Sequence, residues 1–180
     1  MKGIMFNKKY GLESAVLGGC KTRTWRADKE PRYKIGEIVV IKQCYRDVMN
    51  YSFYDDKKLY YKVCNLMNEA GATNKMFVKN ELMPHKIKIT KVTPCKLQDV
   101  TEEECLREGI YIDKEGGRSI GYPFAVSFYC TFRGAINRDE KQLYWSTPKE
   151  AFAGLINKLN GKGYWESNQL GYAYEFELVK

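Results

Sequence analysis

The sequence predicts an α+β fold: a small, mixed or mostly antiparallel β-barrel with short flanking helices. Three observations carry this. Several short apolar runs alternate at strand period between turn residues, three segments carry helix start and stop signals, and 180 residues are enough for one well-buried core but tight for two. A single domain spanning 1–180 follows, with insertions near 46–75 and 113–145.

In chain order, residues 8–17 (KKYGLESAVL) place Leu12 and Val16 on one side of a short helix, with Asn7 as N-cap and Gly18-Gly19 as the stop. TRTWRAD then reads as a strand whose β-branched and aromatic residues alternate with arginines. YKIGEIVVI supplies a turn at Gly36 and an apolar strand through Ile38–Ile41. Within 46–84, SFYDDKKLYYKV reads as a tyrosine-rich loop entering a strand, and MFVKNELM as another strand. HKIKITKVTPCKL alternates apolar and basic residues, as a strand with one wet, cationic face does. Thr101 followed by Glu104 is a capping box, Cys105 and Leu106 face inward, and Gly109 ends a helix of about two turns. The segment 113–146, rich in glycine and aromatics, reads as a long insertion with some strand. Thr147 and Pro148 open a helix through Leu159, and GYAYEFELVK closes the chain as a strand with Tyr172, Tyr174, Phe176 and Leu178 on one face.

Composition narrows the chemistry. No apolar run approaches the roughly 18 residues of a membrane span, and the first residues lack the apolar core of a signal peptide, so the expectation is a cytoplasmic protein without membrane contact. The six cysteines include no CxxC pair, which argues for reduced structural thiols. His85 is the single histidine, so most zinc-hydrolase ligand sets are excluded, a Ser-His-Asp triad has only one possible base, and acid–base work is expected of Lys, Thr, Tyr or carboxylates. A net charge of +8 favours acidic partners, nucleic acid first.

The stretch GGCKTRTWR, 18–26, concentrates the possibilities. The double glycine lets the backbone turn sharply and approach a bound group. In a strict strand Lys21, Arg23 and Trp25 face one way and Thr22, Thr24 and Arg26 the other, so Lys21 and Thr24 share a pocket only across a kink. The alternative is a solvated basic strand. Glu108 sits at the C-terminal end of its helix, where the dipole disfavours a carboxylate unless a cation compensates, and Lys21 is a candidate for that cation; the alternative is a surface glutamate close to Arg107, which helix ends tolerate. Tyr51, Tyr54, Tyr60 and Tyr61 lie among lysines 57, 58 and 62, a mixture suited either to stacking bases or to packing on the barrel. Cys20 beside Lys21 is either a nucleophile activated by its cationic neighbour or a small buried thiol, and no sequence feature places His85 beside it as a base.

AVLGGCKTRTWRAD followed by YKIGEIVVI resembles the opening motif of the ASCH domain family, a helix ending in glycine, a GxKTxTxR segment and a turn into an apolar strand. KIKITKVTPCKLQDVTEEECLREGI resembles the later strand, acidic helix and glutamate of the same family. STPKEAFAGLINKLNG and YAYEFELV are similar to the C-terminal part of its longer members, often associated with phages or mobile elements. The resemblance implies a PUA-like β-barrel with a cleft, and RNA binding or recognition of a modified nucleoside. In small bacterial members, hydrolases of N4-acetylcytidine, a lysine, a threonine and a glutamate are catalytic; these positions fall on Lys21, Thr24 and Glu108. Thr22, Arg23, Trp25 and Arg26 would then contact substrate. Neither a metal nor another cofactor is required. The chain departs from the longer relatives in reading SNQLGYAY where they carry an Asn-Pro-Trp run. Two functions are carried forward: an amidohydrolase acting on a modified pyrimidine, and a non-catalytic RNA-binding module that recognises a base in the same cleft.

Overall fold

The computed structural model describes residues 1–113, 125–127, 145 and 147–179. Its centre is a five-stranded mixed sheet in the order β1-β3-β4-β7-β2, formed by β1 (Gly3–Ile4), β2 (Arg23–Arg26), β3 (Ile38–Ile41), β4 (Lys86–Lys96) and β7 (Leu170–Val179). β1 pairs parallel to β3, and the other neighbours are antiparallel. β5 (Tyr111–Asp113) and β6 (Ala125–Ser127) form a separate hairpin-like pair. Four α-helices complete the described chain: α1 (Leu12–Leu17), α2 (Lys57–Cys64), α3 (Glu102–Arg107) and α4 (Pro148–Asn160).

The α+β class is therefore as expected, but the described strands do not close into a barrel. β1 and β2 are the two edges of the sheet, and no strand pairing joins them among the described residues. A side chain spans the interval instead: Arg26 Nη2, at the end of β2, donates to the Met5 carbonyl just after β1 at 2.7 Å. The long central strands twist against each other, with a register shift between Ile89 and Lys91 that breaks the straight ladder of β4 and β7.

The sheet is covered on both faces where it crosses β3. Val39 and Ile41 enter the main core with Ile87, Ile89, Tyr174, Phe176 and the apolar faces of α1, α3 and α4, whereas Val40 enters a second cluster with Tyr45, Val48, Tyr54, Val63, Leu82 and Met83. Two-sided burial is the physical reason that β3 reads as an unbroken apolar run instead of an alternating one. The segment 45–83 is thus a compact layer on the outer face of the sheet.

That layer corrects two expectations. SFYDDKKLYYKV forms the helix α2, started by Asp56, whose carboxylate accepts from Lys58 N at 2.8 Å. MFVKNELM forms two single 3-10 turns, Lys75–Phe77 and Asn80–Leu82, and the first is capped by Asn74 accepting from Met76 N at 2.9 Å. Helix α1 is also shorter than expected, because 7–10 close a turn on Asn7 and the helix begins after Gly11 at φ 69°. The remaining helices match: Thr101 and Glu104 make a reciprocal capping box, and Thr147 caps α4 with Pro148 in its first turn. The expected long insertion at 113–146 lies largely outside the described residues, as does Cys130. Among the described residues no helix is long and apolar enough to cross a membrane.

Candidate functional site

The chain between α1 and β2 builds the site. After Leu17 the backbone wraps tightly: Cys20 N and Lys21 N both bond to the Ala15 carbonyl, at 2.8 and 2.9 Å, and Gly19 takes φ 75°. β2 starts only at Arg23, so Lys21 lies before the strand and escapes its alternation. This is the kink that the sequence reading required. Lys21 and Thr24 consequently line one cleft, together with Glu108.

Glu108 is the C-cap of α3, followed by Gly109 at φ 101°. Its helix is pinned to the β2 entry by Thr22 N donating to the Arg107 carbonyl at 3.0 Å. Lys21 Nζ donates to Glu108 Oε2 at 2.8 Å and to the Glu108 carbonyl at 2.6 Å. One ammonium therefore answers both the carboxylate and the negative end of the helix, which accounts for an acid at the wrong end of a dipole. Arg23 takes the other carboxylate oxygen, Nη1 to Oε1 at 2.8 Å. Its Nε lies 3.4 Å from Glu104 Oε1, an ion-pair distance without hydrogen-bond geometry.

Lys21 and Glu108 are each 3% exposed and Arg23 2%. Burial pushes the Lys21 ammonium below its usual range; Glu108 opposes this, while Arg26 and Arg23 add to it. Phe6 packs beside the pair, its ring centroid 6.0 Å from Lys21 Nζ and 5.9 Å from the Arg26 guanidinium carbon. A buried, partly destabilised lysine in contact with a carboxylate, in a cleft that Thr24 also lines, is the kind of group whose protonation an active site uses.

The cleft holds about 1070 Å³. It is lined by the Lys21–Glu108 pair, Thr24, Phe6 and Leu12 and, from α4, by Phe152, Leu155 and Ile156. Of the expected substrate-binding residues, Trp25 and Arg26 line it, and Trp25 is fixed by Nε1 donating to the Cys95 carbonyl at 3.3 Å. Arg23 does not line the cleft: it sits behind Glu108 and holds the carboxylate. Thr22 does not line it either, its hydroxyl accepting from Arg107 Nε at 3.3 Å.

Tyr54, Tyr60 and Tyr61 are not among the residues that line the cleft. Tyr54 is buried in the second cluster with its hydroxyl donating to the Leu82 carbonyl at 3.3 Å, Tyr60 packs against that cluster, and Tyr61 is exposed. Tyr51 falls in a 3-10 turn, and its side chain lies outside those described. Cys20 is exposed. Among the described residues no group of three His, Cys, Asp or Glu side chains gathers as a metal site.

One part of the site had no sequence signal. Glu13, on α1, is buried and forms an ion pair with Lys75; Gln43 Nε2 donates to Glu13 Oε1 at 3.0 Å, and His85 Nδ1 lies 2.6 Å from Gln43 Oε1. This buried chain brings Lys75 to the cleft wall from the distant 45–83 layer.

Neither a family model, nor a curated protein, nor a solved structure matches the chain.

Proposed function

We propose that the protein is an ASCH-like amidohydrolase that removes the acyl group from N4-acetylcytidine or a related modified pyrimidine, with Lys21, Thr24 and Glu108 as its reacting groups. The observation that carries this reading is the buried contact of Lys21 with Glu108 at 2.8 Å, in the cleft that Thr24 also lines. The mixed sheet, with its β1 and β2 edges linked by Arg26, is compatible with the PUA-like reading in that it leaves the cleft open between them.

In the proposed reaction, neutral Lys21 takes the proton of the Thr24 hydroxyl as its oxygen attacks the acyl carbon. Burial lowers the cost of keeping that amine neutral. The proton passes across the Lys21–Glu108 contact and is delivered to the exocyclic nitrogen as the carbon–nitrogen bond breaks. Cytidine leaves, and the acyl group remains on Thr24 as an ester. Water then adds to the ester carbonyl, losing a proton to Lys21; the threonine oxygen departs with that proton and the free acid is released. Arg23 keeps the Glu108 carboxylate in place from behind throughout, as a positioning residue.

A second reading has its own support. Both Glu108 oxygens are taken by cations, and Lys21 Nζ also bonds a helix carbonyl, an arrangement that a structural ion pair would share. The cleft would then recognise an RNA base without reacting. Incubation of the purified protein with N4-acetylcytidine, followed by chromatography, separates the two. Release of cytidine by the wild type and its loss in Lys21→Ala and Glu108→Ala supports the enzyme; no release at high enzyme concentration leaves the binding module.

A further inference from the structure

The cleft is larger and more cationic than one uncharged nucleoside requires. Its lining carries Lys8, Lys21, Arg26, Arg32, Lys42 and Lys75; Lys8, Lys21 and Lys75 are paired with Asp47, Glu108 and Glu13, while Arg26, Arg32 and Lys42 have no ion pair among the described residues. The lining carboxylates are engaged within the protein: Glu108 by Lys21 and Arg23, and Asp28 by the Tyr174 hydroxyl at 2.7 Å. Of the lining residues, Arg32 is exposed over the Tyr33 ring, and Lys42 bonds only a carbonyl, that of Met76, at 3.1 Å; neither has an ion pair among the described residues. An anion arriving there meets cations that no protein carboxylate neutralises.

The turn Lys75–Phe77 borders the cleft through Lys75 and Met76, with Phe77 next in the chain just outside the lining, and is tied down at several points. Asn74 caps it, Lys42 holds the Met76 carbonyl, and Lys75 bonds both Glu13 and the Phe6 carbonyl, the latter at 2.8 Å. The acid behind it is in turn fixed by Gln43 and His85. Yet this rigid turn presents Met76 at 67% and Phe77 at 61% exposure. An aromatic and a flexible apolar side chain, held on a fixed turn beside unneutralised cations, is the surface that stacks a base while its phosphates are bound.

Building on the reading of the cleft as a base pocket, we propose that its ligand is a single-stranded polynucleotide: the target base enters the cleft, the flanking phosphates lie on Arg32 and Lys42, and a neighbouring base stacks on Phe77. A duplex does not fit this arrangement, because its bases are paired and inaccessible to both the pocket and Phe77.

Fluorescence anisotropy of a labelled single-stranded oligocytidylate RNA, its DNA counterpart and a duplex of the same length tests this at stepped salt. The expected result is binding of the single strand over the duplex, with affinity falling steeply with salt. Phe77→Ala weakens it about tenfold, and Lys42→Ala or Arg32→Ala each lowers the salt slope by about one. Equal binding of duplex, or single-strand binding unchanged in Phe77→Ala and Lys42→Ala, overturns the proposal. Preference for RNA over DNA, or indifference between them, both accord with it provided the variants weaken binding.

These substitutions lie outside the Lys21–Thr24–Glu108 group, so the two readings fail separately. Oligonucleotide binding that depends on Phe77, without hydrolysis of N4-acetylcytidine, retains this ligand and removes the enzyme. Hydrolysis without any single-strand preference does the reverse.

Discussion

Replacing Glu108 with Gln keeps the shape of the side chain and removes its charge, leaving two cations facing each other across a buried amide. Lys21 and Arg23 each donate to one carboxylate oxygen at 2.8 Å, and all three residues are almost fully buried. In the variant the amide oxygen accepts from one cation while the amide NH₂ confronts the other. Removing one member of a buried ion pair costs about 3–5 kcal/mol. For a chain of this length that corresponds to a fall of roughly 6–20 °C in Tm, from a total stability on the order of 5–15 kcal/mol. Urea denaturation followed by circular dichroism measures it. Glu175→Gln is the control, since Glu175 pairs at 2.7 Å with Arg107, whose side chain is 37% exposed, and a pair of this kind contributes about 1 kcal/mol or less. A further variant, Lys21→Met with Arg23→Met and Glu108→Leu, removes all three charges and is expected to recover much of the loss, because no unpaired ion remains. A Glu108→Gln loss no larger than that of Glu175→Gln would refute the argument that this cluster is energetically buried.

Three other outcomes follow from the same geometry. Hydrolysis should rise with pH as Lys21 loses its proton, and its pKa below the usual lysine value places the rise below 10.5; unfolding free energy should climb through the same window, because the unfolded chain there holds a proton that the folded one has released. Both effects should vanish in Lys21→Met. Gly109→Ala forces a side chain into φ 101° with its Cβ 3.3 Å from Leu12 Cδ2 and 3.5 Å from Lys21 Cδ; a loss of about 1–3 kcal/mol in denaturation and a larger proportional loss in turnover are expected. Thr101→Ala removes the cap of α3 and should cost about 1 kcal/mol in the same assay, with turnover retained as long as Glu108 keeps its place.

Much of the frame was legible where local and tertiary forces agree. β3, β4 and β7 announce themselves by period or apolar run, and α3 and α4 by caps whose side chains do bond the first-turn amides. The layer 45–83 was misread because its local chemistry argues one way and its packing another. Tyr60, Tyr61 and Val63 favour a strand, but Asp56 starts a helix and Val63 is drawn into the cluster on the outer face of β3. Tertiary burial settles that conflict, and burial is not written in a short window of sequence.

The site divides along similar lines. A carboxylate at the wrong helix end made Lys21 one candidate partner for Glu108, but position alone equally fits a surface glutamate beside Arg107, and it was the motif resemblance that singled out the pair. The glycines allowed the kink that frees Lys21 from the strand, but they equally fit a solvated basic strand, so its presence was not decided by them. The place of Arg23 behind Glu108 was not readable, because alternation put it with Lys21, and only the position of α3 decides which face meets the carboxylate. Glu13, Gln43, Lys75 and His85 come from four separate parts of the chain, and nothing in their local sequence joins them.

The central claim is that Thr24 supplies a reacting hydroxyl within the Lys21–Glu108 cleft. Turnover of N4-acetylcytidine by the wild type, Thr24→Ser and Thr24→Val tests it most directly. The account predicts cytidine release by the wild type and by Thr24→Ser, which keeps the hydroxyl, and none by Thr24→Val, which keeps the shape alone. Turnover by Thr24→Val at the wild-type rate, or none by the wild type, would contradict it.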